Sequence, residues 1–179
     1  MSQNKIYIRR LEEEDLAKKI EWINNNQINE TLMYDCPLSL SETKEWYKKT
    51  LFDRNRWDFS IIEKKKNELV GIAGLIKLNY KHRNAQFYIT LGEKSEWGKG
   101  YAKEALEKVL RFAFLELGLE KVYLYTLSNN EKARKLFEKT GFKQEALMKK
   151  HYFIHGKYHD LYQHAIMMHE FIEKYGEKR

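Results

Sequence analysis

Apolar and polar positions switch between a period of two and a helical period several times along this chain. Ile6 to Arg9 alternates like a short strand, and Glu12-Glu13-Glu14-Asp15 then sets acids where the positive end of a helix would lie. Leu16, Ile20 and Ile23 recur at helical spacing until Asn24-Asn25-Asn26 breaks the pattern. A second helix is predicted after Pro37, capped by Ser39 or Ser41, with Trp46, Tyr47, Thr50 and Leu51 along it. Trp57 to Glu63 and Glu68 to Leu78 read as strands joined at Lys64-Lys65-Lys66-Asn67, and Ala85 to Leu91 as another after polar Asn79 to Asn84.

The second half repeats the alternation. Ala102, Ala105, Leu106, Val109, Phe112, Ala113 and Leu117 share one side of a helix that Gly118 ends. Lys121 to Leu127 is strand-like, with Val122, Leu124 and Thr126 alternating against Tyr123, Tyr125 and Leu127. A helix over Asn130 to Lys139 closes at Gly141. Two strands, Phe142 to Lys149 and Tyr158 to Met168, turn near His155-Gly156. The apolar tail Met167 to Tyr175 is suited to packing on the domain or on a second copy, so a homodimer is an open expectation. Strands alternating with helices predict one α/β (α+β) domain over residues 1–179.

Glu96-Trp97-Gly98-Lys99-Gly100-Tyr101-Ala102 carries the most chemistry. It lies between a strand and an amphipathic helix, and two glycines one residue apart let consecutive N–H groups face one point. The helix N-terminus behind them adds its dipole, so the segment suits a phosphate or diphosphate held by main chain. Lys103 stands where a dinucleotide fingerprint needs its third glycine, and the spacing is not that of a Walker loop.

Composition narrows the partners. A length of 179 residues with 42% apolar and 33% charged residues describes a globular chain with a buried core. The single cysteine, Cys36, permits no internal disulfide and no cysteine metal cluster. No apolar run reaches membrane-spanning length and the polar start lacks a signal-peptide pattern, so the expected location is cytoplasmic, with no membrane partner. The net charge of +7 attracts polyanions without specificity, and no motif for specific nucleic-acid reading is present. His151, His155, His159, His164 and His169 lack tight metal-ligand spacing, so no metal is expected.

The glycine loop followed by helix, strand and Asn130-Glu131-Lys132-Ala133-Arg134-Lys135-Leu136-Phe137-Glu138-Lys139-Thr140-Gly141-Phe142 resembles the GNAT N-acetyltransferase superfamily. More narrowly, it resembles the branch of ribosomal-protein N-terminal and spermidine acetyltransferases, from Ile6-Tyr7-Ile8-Arg9 to Gly156-Lys157-Tyr158-His159-Asp160. The resemblance implies a mixed central sheet of about six to seven strands, splayed at the cofactor site and flanked by about four helices.

It also implies an acetyl-CoA site with direct transfer to an amine. The pantetheine arm maps to the backbone of Ile89, Thr90 and Leu91, and the diphosphate to Trp97, Gly98, Lys99, Gly100, Tyr101 and Ala102. Asn130 is placed against the cofactor, with Lys132 and Lys135 as phosphate partners; read singly, Lys99, Lys132 and Lys135 are solvated charges. Ser95 departs from the Gln or Arg common three residues before the first glycine. Phe137 replaces the tyrosine that protonates the departing thiolate in many relatives, and phenylalanine has no proton to give.

Transfer needs a neutral amine, hence a proton acceptor, and a main-chain N–H near Leu91 suits the developing oxyanion. Tyr88, Tyr125 and Ser128 are candidate proton donors; Glu30, Asp35 and Glu93 are candidate bases, with Glu30 and Asp35 in the segment that shapes the acceptor pocket of relatives. The strand Gly71 to Leu78 lacks the acids that polyamine enzymes carry there, and Lys77 repels a polycation. A protein N-terminus, an aminosugar or another small amine is therefore the expected acceptor. The alternatives are a spermidine or polyamine acetyltransferase, or a CoA-binding protein without turnover.

Overall fold

The computed structural model describes residues 4–30, 32–34, 36–92, 94–154 and 156–176. Its strands are hydrogen-bonded in the order β1-β2-β3-β4-β5-β7-β6, a seven-stranded mixed sheet. Their ranges are β1 Ile6–Arg10, β2 Trp57–Glu63, β3 Glu68–Asn79, β4 Asn84–Leu91, β5 Lys121–Leu127, β6 Lys143–Ile154 and β7 Lys157–Met167. The helices are α1 Leu16–Asn24, α2 Asn26–Asn29, α3 Leu40–Thr50, α4 Tyr101–Arg111, α5 Glu131–Lys139 and α6 Met168–Tyr175. The short α2 and the tail helix α6 come in addition to the four predicted. The chain divides into two compact units, Met1–Lys77 with Tyr88–Val109, and Leu78–Phe87 with Leu110–Arg179.

In the first unit, β1 and β3 flank β2 in antiparallel pairing. Leu11, Leu16, Trp22, Ile28, Tyr47 and Ile72 form one buried cluster with Trp46 and Tyr88 against it. The acidic stretch before α1 is built around Asp15, whose carboxylate takes Arg9 Nη1 at 2.6 Å, Ser60 Oγ at 2.6 Å and the Glu12 N–H at 3.0 Å. Burial opposes that charge, but the hydrogen bonds from Arg9, Ser60 and Glu12 win and hold Asp15 below the usual carboxylate range. Ser39 is the α3 cap, accepting the Glu42 N–H at 3.1 Å.

In the second unit, β5 pairs antiparallel with β7, and β7 with β6. The parallel ladder of β4 with β5 is confined to Asn84–Gln86 against Lys121–Tyr123. After α4 the chain makes a π turn over Phe112–Glu116. Apolar residues here repeat every four positions (105, 109, 113 and 106, 110, 114), longer than the α period, and the wider turn keeps Phe114 buried while Leu115 is exposed. The tail helix packs on this unit: the Phe171 ring lies 5.3 Å from Phe114.

Candidate functional site

The glycine loop holds two glycines in a backbone conformation suited to them. Gly98 and Gly100 have φ of +80° and +90°, a conformation L side chains rarely adopt, and a Cβ built on either meets nothing within 4 Å. The first recorded turn of α4 is Glu104 N–H to the Gly100 carbonyl at 3.1 Å. Among the described residues, the amides of 98–102 donate to no protein acceptor. Unpaired amides ahead of an eleven-residue helix are the donor set that a diphosphate requires.

Side chains fix the loop from outside. Trp97 Nε1 donates to the Leu91 carbonyl at 3.3 Å, tying the loop to the end of β4. Lys99 Nζ pairs with Glu96 at 2.9 Å, while its carbonyl accepts Lys5 Nζ at 3.0 Å. The Glu96 contact raises the Lys99 proton affinity, so the lysine stays charged beside the loop. Glu104 accepts the Lys5 and Ile6 N–H groups at 3.0 Å and 3.3 Å, fastening α4 to β1.

At the end of β4, Thr90 is buried and Ile89 and Leu91 are half-buried. Among the described residues, the pairs of β4 with β5 end at Gln86 against Tyr123. Two glycines hold neighbours close: a Cβ on Gly71 would lie 2.6 Å from the Thr90 carbonyl oxygen, and one on Gly92 would lie 1.8 Å from the Trp22 ring.

Tyr88 stands in a network the sequence reading did not find. Its hydroxyl donates to Asp58 Oδ1 in a very short hydrogen bond, and Asp58 takes Arg56 Nε at 2.7 Å and Nη2 at 2.8 Å. Burial, followed by the Asp58 charge, pushes the Tyr88 hydroxyl well above its ordinary range, which makes it a poor acid. The Trp46 ring receives two cations, Lys19 Nζ at 3.6 Å and the Arg56 guanidinium at 4.8 Å from its centroid. Burial pushes Lys19 down to about 8, against the pull of Asp58. Burial likewise lifts Tyr34 to about 12, and its hydrogen bond with Thr90 acts in the opposite sense. The usable signal was spacing: Lys19 falls on the apolar stripe of Leu16, Trp22 and Ile23, where a lysine is conspicuous.

The remaining predicted residues have local duties. Asn130 caps α5, its Oδ1 accepting the Ala133 N–H at 3.1 Å. Lys135 pairs with Glu131 at 3.4 Å, and Lys132 is exposed. The Ser128 N–H donates to the Asp160 carbonyl at 2.9 Å, and Tyr125 lies edge-on to Tyr123 with centroids 5.8 Å apart. Phe137 is buried between Phe87 and Phe142, at 6.4 Å and 5.8 Å, a packed aromatic. Glu30 is exposed at the end of α2, whereas Asp35, Glu93 and His155 lie outside the described residues.

Residues 5–143 match the family model of the acetyltransferase (GNAT) domain. The chain belongs to the GNAT acetyltransferase family. It is therefore an acetyl-CoA-dependent N-acetyltransferase, with acetyl-CoA as co-substrate. A spermidine N(1)-acetyltransferase of Vibrio cholerae is 32% identical over 172 residues, covering 96% of this chain and 98% of that one. The Escherichia coli K12 spermidine N(1)-acetyltransferase is 28% identical over 175 residues, covering 97% and 92%. The crystal structure of the Vibrio cholerae spermidine N-acetyltransferase with CoA and spermine superposes with a TM-score of 0.89 at 30% identity, covering 95% of this chain and 99% of that one. Among the described residues, no helix is long and apolar enough to cross a membrane, and no cluster of three or more His, Cys, Asp or Glu could hold a metal ion.

Proposed function

We propose that this chain acetylates a primary amine within one catalytic domain, and that a polyamine is the acceptor to try first. The observation that carries the acceptor is the end-to-end similarity to spermidine acetyltransferases, 32% identical across 96% of this chain. That similarity favours the polyamine over the small amine or protein N-terminus expected from the sequence.

In this reading, the amides of Gly98, Lys99, Gly100, Tyr101 and Ala102 hold the diphosphate, with Trp97 bracing them. The main chain of Ile89, Thr90 and Leu91 aligns the pantetheine arm, and the Leu91 N–H polarises the thioester carbonyl. Acetyl-CoA supplies an activated acyl group. The protein supplies orientation, which accounts for much of the acceleration when no dedicated acid is present. Phe137 contributes packing, and the proton for the departing sulfur comes from water or from a hydroxyl such as Ser128, since the Tyr88 proton is held by Asp58. Asn130, Lys132 and Lys135 keep the cofactor roles that the resemblance implies. Glu30 and Asp35 keep their place in the acceptor pocket, and the homodimer stays part of the proposal.

A second acceptor class, an aminosugar, peptide N-terminus or other small amine, is favoured by one feature. Asp58 is already neutralised by Arg56, while buried Lys19 adds a further positive charge to the cluster behind β4. Such a cluster repels a polycation. The deciding experiment is CoA-thiol release with spermidine, spermine, aminosugars and short peptides. Turnover of spermidine at the highest kcat/KM supports the first reading; turnover of a non-polyamine with no spermidine activity replaces it.

A further inference from the structure

The buried acids of the first unit each have partners. Asp15 takes Arg9, Ser60 and the Glu12 N–H, and Asp58 takes Arg56 and Tyr88. Glu63 accepts the N–H groups of Lys65 and Lys66 at 3.0 Å and 2.8 Å. Buried Lys19 is the exception. It is 5% exposed on the inward stripe of α1. Among the described residues, its Nζ makes no hydrogen bond and has no carboxylate oxygen within 4 Å.

Lysine is seldom buried without a partner, because drying an ammonium is unfavourable. The Trp46 ring, its centroid 3.6 Å from Nζ, offsets part of that penalty. A leucine or methionine would fill the same place on the stripe with no penalty to offset. Burial lowers Lys19 only to about 8, so the ammonium is still the major form at neutral pH. A dry charge with its N–H groups open marks a ligand site rather than a packing residue.

The surroundings set the charge of that ligand. The Arg56 guanidinium also lies over Trp46, and its Nε and Nη2 are held by Asp58. Two cations against one carboxylate leave a single positive charge in excess. One further carboxylate balances it, whereas a phosphate dianion reverses it and a polycation enlarges it.

The position of the cluster points to the acceptor. Tyr88 and Thr90 stand on the same face of β4, Tyr88 donating to Asp58 and Thr90 hydrogen-bonded with Tyr34. Thr90 lies in the stretch whose main chain aligns the thioester arm in the reading above. An anion at Lys19 therefore sits on the side of β4 from which an amine can be presented.

We propose that Lys19, over the Trp46 ring and beside Arg56, binds a carboxylate of the acceptor, so that the enzyme acetylates an amine that also carries one carboxylate. This rests on acetyl transfer to a primary amine and makes the second acceptor class concrete: an amino acid, a peptide or an acidic aminosugar.

The test is CoA-thiol release with matched amines that differ in the carboxylate. The sets are free lysine, lysinamide and cadaverine; glycylglycine and its amide; and muramic acid and glucosamine, with glucosamine 6-phosphate and spermidine alongside. In at least one set the carboxylate member should exceed its uncharged analogue about tenfold or more in kcat/KM. Lys19→Met should bring that ratio close to one, chiefly through KM, while Lys19→Arg retains part of it. A merely structural lysine would leave the ratio unmoved. The Tm of Lys19→Met should equal or exceed that of the parent, since an unpaired buried charge is removed; Lys19→Gln replaces it if it does not fold. The inference is overturned by carboxylate members no better than their analogues in every set, or by a ratio that survives Lys19→Met. Glucosamine 6-phosphate or spermidine as the preferred acceptor overturns it as well. All of these results leave acetyl transfer standing. Absence of thiol release with every amine removes the acetyl-transfer reading itself, and this inference with it.

Discussion

Two helices of similar length begin in opposite ways. At α5, in the second unit, Asn130 folds back and accepts the Ala133 N–H, so the helix closes its own start. At α4, in the first unit, no side chain does so among the described residues, and there the amides of 98–102 stay open behind two glycines of positive φ. A capped start is stabilised by its own sequence; an open start keeps its donors for something outside the protein. One chain therefore contains a helix start closed by its own side chain and one left open, distinguished by whether a side-chain oxygen fills the first turn.

The contrast breaks most severely at Gly98. Gly98→Val forces a β-branched residue into a left-handed conformation and projects its side chain into the open space the amides face. Acetyl-CoA affinity should fall at least about a hundredfold, roughly 3 kcal/mol, by calorimetry. The variant stays folded by circular dichroism. Asn130→Ala removes the other kind of start and should cost about 1 kcal/mol of stability, a fall in Tm of about 2–4 °C by thermal melt.

Glu96→Gln sharpens the contrast from the other side. It removes a carboxylate beside the open loop and releases Lys99, so acetyl-CoA should bind a few-fold more tightly at low salt, with the gain fading as salt rises. A gain that persists in high salt would show that the loop had rearranged.

The last prediction concerns pH. His164 is buried in β7 with no well-formed hydrogen bond at either ring nitrogen among the described residues, and burial holds its proton affinity below normal against a weak backbone contact with Tyr162. The unfolded chain then binds more protons than the folded one once pH drops through about 6.5, the ordinary histidine value. The parent should lose stability as pH falls from there until the folded-state value is passed. Glu138, which favours the charged ring, and Arg134, which opposes it, are the charges facing His164. In His164→Leu this decline should be smaller by denaturant titration, and an identical pH profile would refute the assignment.

Much of this was legible in the sequence because it depends on local pattern. The Gly-x-Gly step between a strand and an amphipathic helix gave the loop, and Ser39 and Gly118 marked helix ends through chemistry carried by single residues. The network of Lys19, Trp46, Arg56, Asp58 and Tyr88 was not legible, since its members come from α1, α3, β4 and the start of β2 and meet only through folding. Lys19 was legible in part: the helical period put it among Leu16, Trp22 and Ile23, but polarity argued for the surface. The π turn went unnoticed because a four-residue repeat and an α period differ by less than half a residue per turn. The local role of Asn130 as a cap was masked by the cofactor role that its motif suggested.

Gly92 carries a consequence for variation at this site. It follows β4, its N–H bonds the Val70 carbonyl at 3.0 Å, and the ring of Trp22 occupies the space where any side chain would begin. Any larger residue there would wedge the Trp22 ring, and with it the first helix, away from the end of β4. This one hydrogen-sized position thereby fixes how closely helix and strand approach.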